Sequence, residues 1–278
     1  MNNPISETAI SGHAPSSDSE LFAPQDEQTI RVHTLGRFTV QIDRQPIPQK
    51  RAAQQKPLEL LQALISLGGR NVSSDLIGSS LWPDAEGDAA ANAFDINLHR
   101  VRKLLGCKDA ITACAGKYSL NNERVWVDAW AFERLLNNID AILNEPRRTE
   151  HMLDDVERLL GNALALYHGG FLSREPVRSW NVSLRERLRF KLFRHISDVC
   201  HIAEENGRWA AAIRFYHRGL EVEPLAEELY QRLMLCYRNS GRRAEALAIY
   251  QRCRANLSAG LELAPSPLTE ELRTSIHR

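Results

Sequence analysis

The chain has 278 residues, with 35 Lys and Arg balancing 35 Asp and Glu, and 43% hydrophobic side chains. That balance fits a globular protein of one to three domains and excludes one that holds nucleic acid by bulk positive charge. No apolar run approaches the roughly 18 residues of a membrane span, and no basic-then-apolar leader opens the chain. Five scattered cysteines form no CxxC pair, so buried thiols in a reducing cytoplasm are expected, with no membrane partner.

The net charge of zero hides unlike parts. Residues 1–29 hold Glu7, Asp18, Glu20, Asp26 and Glu27 and no Lys or Arg, whereas residues 30–128 hold 13 basic against 10 acidic side chains. Residues 1–28 are rich in Ser, Pro and acids and have little apolar surface to bury, which predicts a disordered N-terminal tail. From Ile30 the pattern changes. Ile30 and Val32, then Phe38, Val40 and Ile42, alternate with polar neighbours and read as short antiparallel strands, with turn chemistry over Asp43 to Pro48.

A first helix is expected from about Lys56 to Leu67, its apolar stripe ending at Gly68-Gly69. A second starts at Ser73 or Ser74, a suitable N-cap, and runs to Trp82, where Pro83 stops it. The third, Ala89 to Leu105, has Asp88 to cap its start and Gly106 to end it. At about 100° per residue, Phe94, Leu98, Val101 and Leu105 share one side. The other side carries Asn92, Ile96, His99, Arg100 and Lys103. Arg and Lys can donate to guanine O6 and N7, Asn can pair with adenine, and Ile can meet a thymine methyl. Taken alone, the helix also fits a plain solvated amphipathic element.

Its surroundings favour the DNA reading. Ile111–Cys114 and Tyr118–Leu120 flank Ala115-Gly116-Lys117 as a hairpin, and Val125, Trp126 and Val127 can return to a sheet. Strands, three helices and a hairpin make a helix-turn-helix with a wing, whose third helix enters the major groove. Lys117 on the wing, and Lys50 or Arg51 before the first helix, are then phosphate candidates. The second half reads as helical throughout. Gly207-Arg208-Trp209-Ala210-Ala211-Ala212-Ile213 aligns with Gly241-Arg242-Arg243-Ala244-Glu245-Ala246-Leu247 at an offset of 34, the tetratricopeptide period, and Tyr216 and Tyr250 keep that offset.

Residues 29–128 resemble the winged helix of OmpR-type response regulators and of the Streptomyces antibiotic regulatory proteins. The resemblance rests on Phe94-Asp95-Ile96-Asn97-Leu98-His99-Arg100-Val101-Arg102-Lys103-Leu104 and the upstream Leu81-Trp82-Pro83-Asp84. Residues 129–278 resemble the bacterial transcriptional activator domain, through Ala165-Leu166-Tyr167-His168-Gly169-Gly170-Phe171-Leu172, Arg185-Glu186-Arg187-Leu188 and Glu223-Pro224-Leu225-Ala226-Glu227-Glu228-Leu229-Tyr230. The resemblance implies a transcriptional activator that binds double-stranded promoter DNA as a homo-oligomer and engages RNA polymerase. It puts base contacts on Ile96, Arg100 and Lys103. His99 replaces a usual small hydroxyl residue, and Arg102 matches the motif but lies to one side of the wheel, toward phosphate or an acidic neighbour. No GxxxxGK[ST] and no receiver domain are present, so switching is expected through the helical half, a separate sensor protein or protein level.

Other signals are weaker. His151, His168, His195, His201 and His217 lack metal-ligand spacing, and no nucleophile motif or cofactor fingerprint occurs, so neither an enzyme nor a cofactor is expected. The strip Arg185, Arg187, Arg189, Lys191 and Arg194 reads as a solvated face paired with Glu186 and its neighbours. The fold class expected is thus an α+β winged helix-turn-helix followed by an all-α, tetratricopeptide-like repeat domain. The function expected is DNA-binding transcriptional regulation in the cytoplasm. The rival is an adaptor that uses both halves to bind proteins.

Overall fold

The computed structural model describes residues 28–47, 52–85, 87–145 and 150–277. Most of the N-terminal tail, together with Lys50 and Arg51, lies outside the described residues.

The first strands are β1 (Ile30–His33), β2 (Thr39–Ile42) and β3 (Gln45–Pro46). Positive φ at Asp43 and Arg44 makes the β2–β3 turn. In the sheet order β3-β2-β1-β7, β2 is antiparallel to β1, while β7 (Val125–Val127) pairs with β1 in parallel. The return of Val125 to Val127 to a sheet is therefore found, on the strand furthest from it in sequence.

Helix α1 (Ala52–Ser66) begins about a turn before the expected start. Pro57, which lacks an N–H and so suits a first turn, instead lies inside it. Leu58, Leu60, Leu61, Leu64 and Ile65 are buried. Its end is a double-glycine stop: Gly68 N–H donates to the Ile65 carbonyl at 3.1 Å and Gly69 N–H to the Leu64 carbonyl at 2.8 Å, both glycines at positive φ. A methyl at Gly69 would sit 2.2 Å from the Trp130 ring, so the turn is also the floor on which that indole rests.

Then come β4 (Val72–Ser73), α2 (Ser74–Leu81), α3 (Gly87–Leu104), β5 (Ile111–Cys114) and β6 (Lys117–Leu120). The β5–β6 hairpin is joined by β4 into a three-stranded sheet, order β4-β6-β5. β4 is too short to show a pattern of alternation. Three cysteines are buried as expected, but Cys107 is half-buried and Cys114, on the hairpin, is exposed. The expectation fails there because only the Ile111 end of β5 reaches the core.

β7 passes directly into α4 (Asp128–Leu143), followed by α5 (Glu150–Leu166), α6 (Ser179–Glu205), α7 (Trp209–Val222), α8 (Glu227–Asn239), α9 (Arg243–Leu261) and α10 (Pro267–His277). Asp128 fastens the two halves. Its buried carboxylate accepts from the Thr34 N–H at 2.8 Å, the Thr34 hydroxyl at 2.6 Å and the Leu35 N–H at 2.9 Å. Burial pushes this carboxyl up from its ordinary range, and the donors from Thr34 and Leu35 pull against that shift. Nearby, Leu35 bridges Phe171, Leu172 N–H donates to the Thr34 carbonyl at 2.7 Å, and Gly36 N–H to Gly170 at 3.1 Å. One apolar core runs through both halves.

The helices stack as successive pairs. Contacts from α6 to α4 keep a constant separation of 54 residues: Arg187 to Glu133, Lys191 to Asn137, Arg194 to Asp140. Arg208 to Asp154 and Arg218 to Leu164 keep the same separation between the next helices. A constant offset means that α4 and α6, and likewise α5 and α7, run parallel. The 34-residue match is also structural. Gly207 and Gly241 both take positive φ; Arg208 N–H donates to Ala203 at 2.7 Å, and Arg242 N–H to Tyr237 at 2.8 Å. Ala212 and Ala246 are fully buried, as the close crossing of paired helices requires.

Candidate nucleic-acid interface

The Ser73 hydroxyl caps α2, accepting from the Leu76 N–H at 3.2 Å. At the other end Trp82 N–H closes on the Gly78 carbonyl at 2.8 Å, and Pro83 follows. α3 then starts at Gly87, which places Asp88 inside the first turn rather than at the cap. A carboxylate there still favours the positive end of the helix dipole. Gly106 at positive φ ends the element as expected.

Phe94, Leu98 and Val101 bury one face of α3 against α1 and α2. Phe94 also meets the Tyr118 ring edge-on at 4.7 Å, fixing the angle between α3 and the hairpin. Asn97 is buried as well; its amide donates back to the Ala93 carbonyl at 2.7 Å.

The opposite face is open. Asn92, Ile96, His99, Arg100 and Lys103 are all exposed, and Ile96 keeps 43% of its surface in solvent. Among the described residues, no side-chain hydrogen bond or ion pair engages Asn92, His99, Arg100 or Lys103. From Asn92 to Lys103 the helix rises about 16 Å, the length of about five base-pair steps. Its diameter of about 10–12 Å matches a major groove about 12 Å wide. The structure brings these five residues together on one surface.

Arg102 has a partner of another kind than an acidic neighbour: its guanidinium donates to the Ile111 carbonyl, Nε at 3.2 Å and Nη2 at 2.7 Å. It braces α3 against the first strand of the hairpin. A bond to a backbone carbonyl nine residues away leaves no mark in residue-type patterns. Sequence reasoning also passes over Asp95, exposed one turn from both Asn92 and His99. A carboxylate there can accept from a cytosine amino group.

Lys117 is exposed at the first position of β6, paired in register with Cys114 and Ser73. Ala115 and Gly116, at φ 48° and 72°, make the tight turn before it. The Ser74 N–H donates to the Gly116 carbonyl at 3.3 Å, tying the wing tip to the start of α2. Lys50 and Arg51 lie outside the described residues.

The second basic strip, on α6, is differently placed. Arg185 donates to the carbonyls of Phe171, at 2.8 Å, and Leu172. Arg187 faces Glu133 at 3.4 Å, Arg189 faces Glu223 at 2.9 Å, Lys191 meets Asn137, and Arg194 grips Asp140 at 2.8 Å. The strip is a paired face: Arg189 also meets Glu186 at 3.4 Å, as expected, and the other partners stand on α4, at Glu223 and at the carbonyls of Phe171 and Leu172. His195, buried beside it, lies between the Lys191 carbonyl and Asp140. Among the described residues, no helix is long and apolar enough to cross a membrane.

Comparisons with known proteins agree with this architecture. The chain is 27% identical over 241 residues to the regulatory protein AfsR of Streptomyces griseus, covering 83% of this chain and 22% of the relative. AfsR of Streptomyces coelicolor is also 27% identical, over 239 residues, covering 82% of this chain and 22% of the relative. The chain therefore spans about a fifth of the length of these curated relatives. Among solved structures, Mycobacterium tuberculosis EmbR, in complex with a low-affinity phosphopeptide, superposes with a TM-score of 0.62 at 21% identity. That match covers 90% of this chain and 65% of that one, and supports a winged helix-turn-helix followed by a helical domain. The family described as bacterial transcriptional activator domain matches residues 127–277, and the chain belongs to this family of transcriptional regulators.

Proposed function

We propose that this chain binds DNA sequence-specifically through residues 29–128, with α3 in the major groove, and activates transcription. Arg100 and Lys103 donate to guanine, Asn92 pairs with adenine, Ile96 meets a thymine methyl and His99 flanks them. Lys117 on the wing, with Lys50 and Arg51, contacts phosphate. Arg102, at the edge of this face, holds α3 to the wing through the Ile111 carbonyl. Residues 129–278, read as a tetratricopeptide-like array, mediate homo-oligomerisation on DNA and contacts with RNA polymerase or a separate sensor protein in the cytoplasm. No cofactor takes part.

The observation that carries this reading is the open face of α3, whose cations have no partner among the described residues although α6 pairs all five of its own. Fluorescence anisotropy against duplexes from the chain's own upstream region, at two salt concentrations, tests it. The expected result is tight binding that weakens steeply with salt and prefers one sequence. Failure to bind any duplex at low salt would favour the protein-interaction adaptor.

A further inference from the structure

A cleft of about 520 Å³ opens on the seam between the two halves, within the range of about 300–1,000 Å³ in which proteins hold small molecules. Arg70, in the turn after α1, lines it from the winged helix; Trp130, Arg134 and Asn137 line it from α4, and the buried strand β7 joins the two sides. The walls are fixed before any ligand arrives. Gly68 and Gly69 close α1 at 3.1 and 2.8 Å, Leu120 N–H donates to the Gly69 carbonyl at 2.9 Å, and Gly69 leaves no room for a side chain beside the Trp130 ring.

The polar groups left open here are donors. Arg70 and Arg134 are exposed, and neither side chain has a hydrogen-bond or ion-pair partner among the described residues. The Asn137 carboxamide oxygen accepts from Lys191, which leaves its NH2 to donate. Glu133, the carboxylate in the lining, is already neutralised, facing Arg187 at 3.4 Å and Lys191 at 4.0 Å.

Two other clefts differ in this respect. Between α6 and α8, Arg189 and Arg194 face Glu223 and Asp140. Between α5 and α7, Arg158 and Arg214 face Asp155 and Glu157. The seam cleft instead offers free guanidiniums, which match carboxylate and phosphate oxygens, beside a half-buried indole that can pack a flat ring.

We infer that this cleft binds a small aromatic anion, with its ring against Trp130 and its carboxylate or phosphate shared by Arg70 and Arg134. Because one arginine belongs to each half, the ligand ties the winged helix to the helical half across the seam.

Isothermal titration calorimetry on the full chain tests this without DNA, so its failure leaves the function proposed above standing. The probes are 2-naphthoate, 2-naphthyl phosphate, the uncharged 2-naphthamide, and acetate, which has a head group but no ring. One of the two naphthyl anions should saturate a single site per chain, and the tighter of the two identifies the head group. 2-Naphthamide and acetate should each bind at least about tenfold more weakly. Arg70→Gln and Arg134→Gln should each weaken the anion by about tenfold, whereas Arg243→Gln, exposed on α9 away from the cleft, should leave it unchanged. Both cleft arginines are exposed and unpartnered, so the variants should fold, and melting curves check each one. The inference is overturned if neither naphthyl anion saturates by about 10 mM, if 2-naphthamide or acetate binds as tightly, or if the two cleft variants bind like the parent.

Discussion

The α3 and α6 faces have similar composition and opposite fates. Each is a helix surface studded with basic side chains, yet α6 spends its charges on Glu133, Asn137, Asp140 and Glu223, while those of α3 meet solvent. Positive charge at helical spacing therefore says little about ligand binding. What matters is whether the fold supplies acceptors. A cation already paired gains little from a phosphate, because binding must first break the existing pair. A free one retains all of its donors for the ligand.

The largest expected effect removes the support beneath the open face. Phe94 is 2% exposed and wedged against Tyr118, so Phe94→Ala should cost about 3–5 kcal/mol of stability, read as a lower denaturation midpoint. Loss of DNA binding should follow with no direct contact altered. A stable, fully binding Phe94→Ala protein would mean that packing does not position α3.

Next comes the reading face itself. Arg100→Ala should cost about 1–3 kcal/mol at a guanine it contacts and relax preference there, while melting stays near the parent's. Binding competitions with single-base variants of the site measure this. Arg102→Ala should behave in the opposite way. Losing a charged donor to the Ile111 carbonyl should lower stability by about 1.5 kcal/mol and weaken all duplexes alike. If Arg102→Ala instead altered preference at a single base pair, the bracing assignment would be wrong.

The same comparison shows what the sequence reveals. The apolar stripe Phe94, Leu98, Val101, the glycine stops and the 34-residue repeat are local regularities, set by helix periodicity and turn stereochemistry, and all are visible in residue order. The open face of α3 is legible for the same reason: it is the complement of the stripe. Partners are not. The carbonyl that takes Arg102, the parallel pairing of β1 with β7, and the acceptors 54 residues from the α6 strip depend on tertiary placement. Cys114 shows the limit within one strand, since alternation marks β5 but does not say how far it reaches into the core.

Lys117→Ala should produce a smaller, sequence-blind change. One fewer phosphate contact lowers the steepness of log K against log salt by about 1, with the order of preferred sites unchanged, in anisotropy titrations at several salt concentrations.

The smallest expected effect is the most decisive for the contrast. Arg194 is 56% exposed on its side chain, and Asp140 is 37% exposed. An ion pair so open to water contributes about 0.2–1 kcal/mol. After Arg194→Ala the Asp140 carboxylate, 37% exposed, is still solvated by water, so the loss should fall at the low end of that range. DNA affinity should not change at all, at any salt concentration, because the side chain was committed within the protein before any ligand arrived. If Arg194→Ala weakened duplex binding as much as Arg100→Ala, pairing would not silence a basic face, and the argument from free cations on α3 would lose its ground.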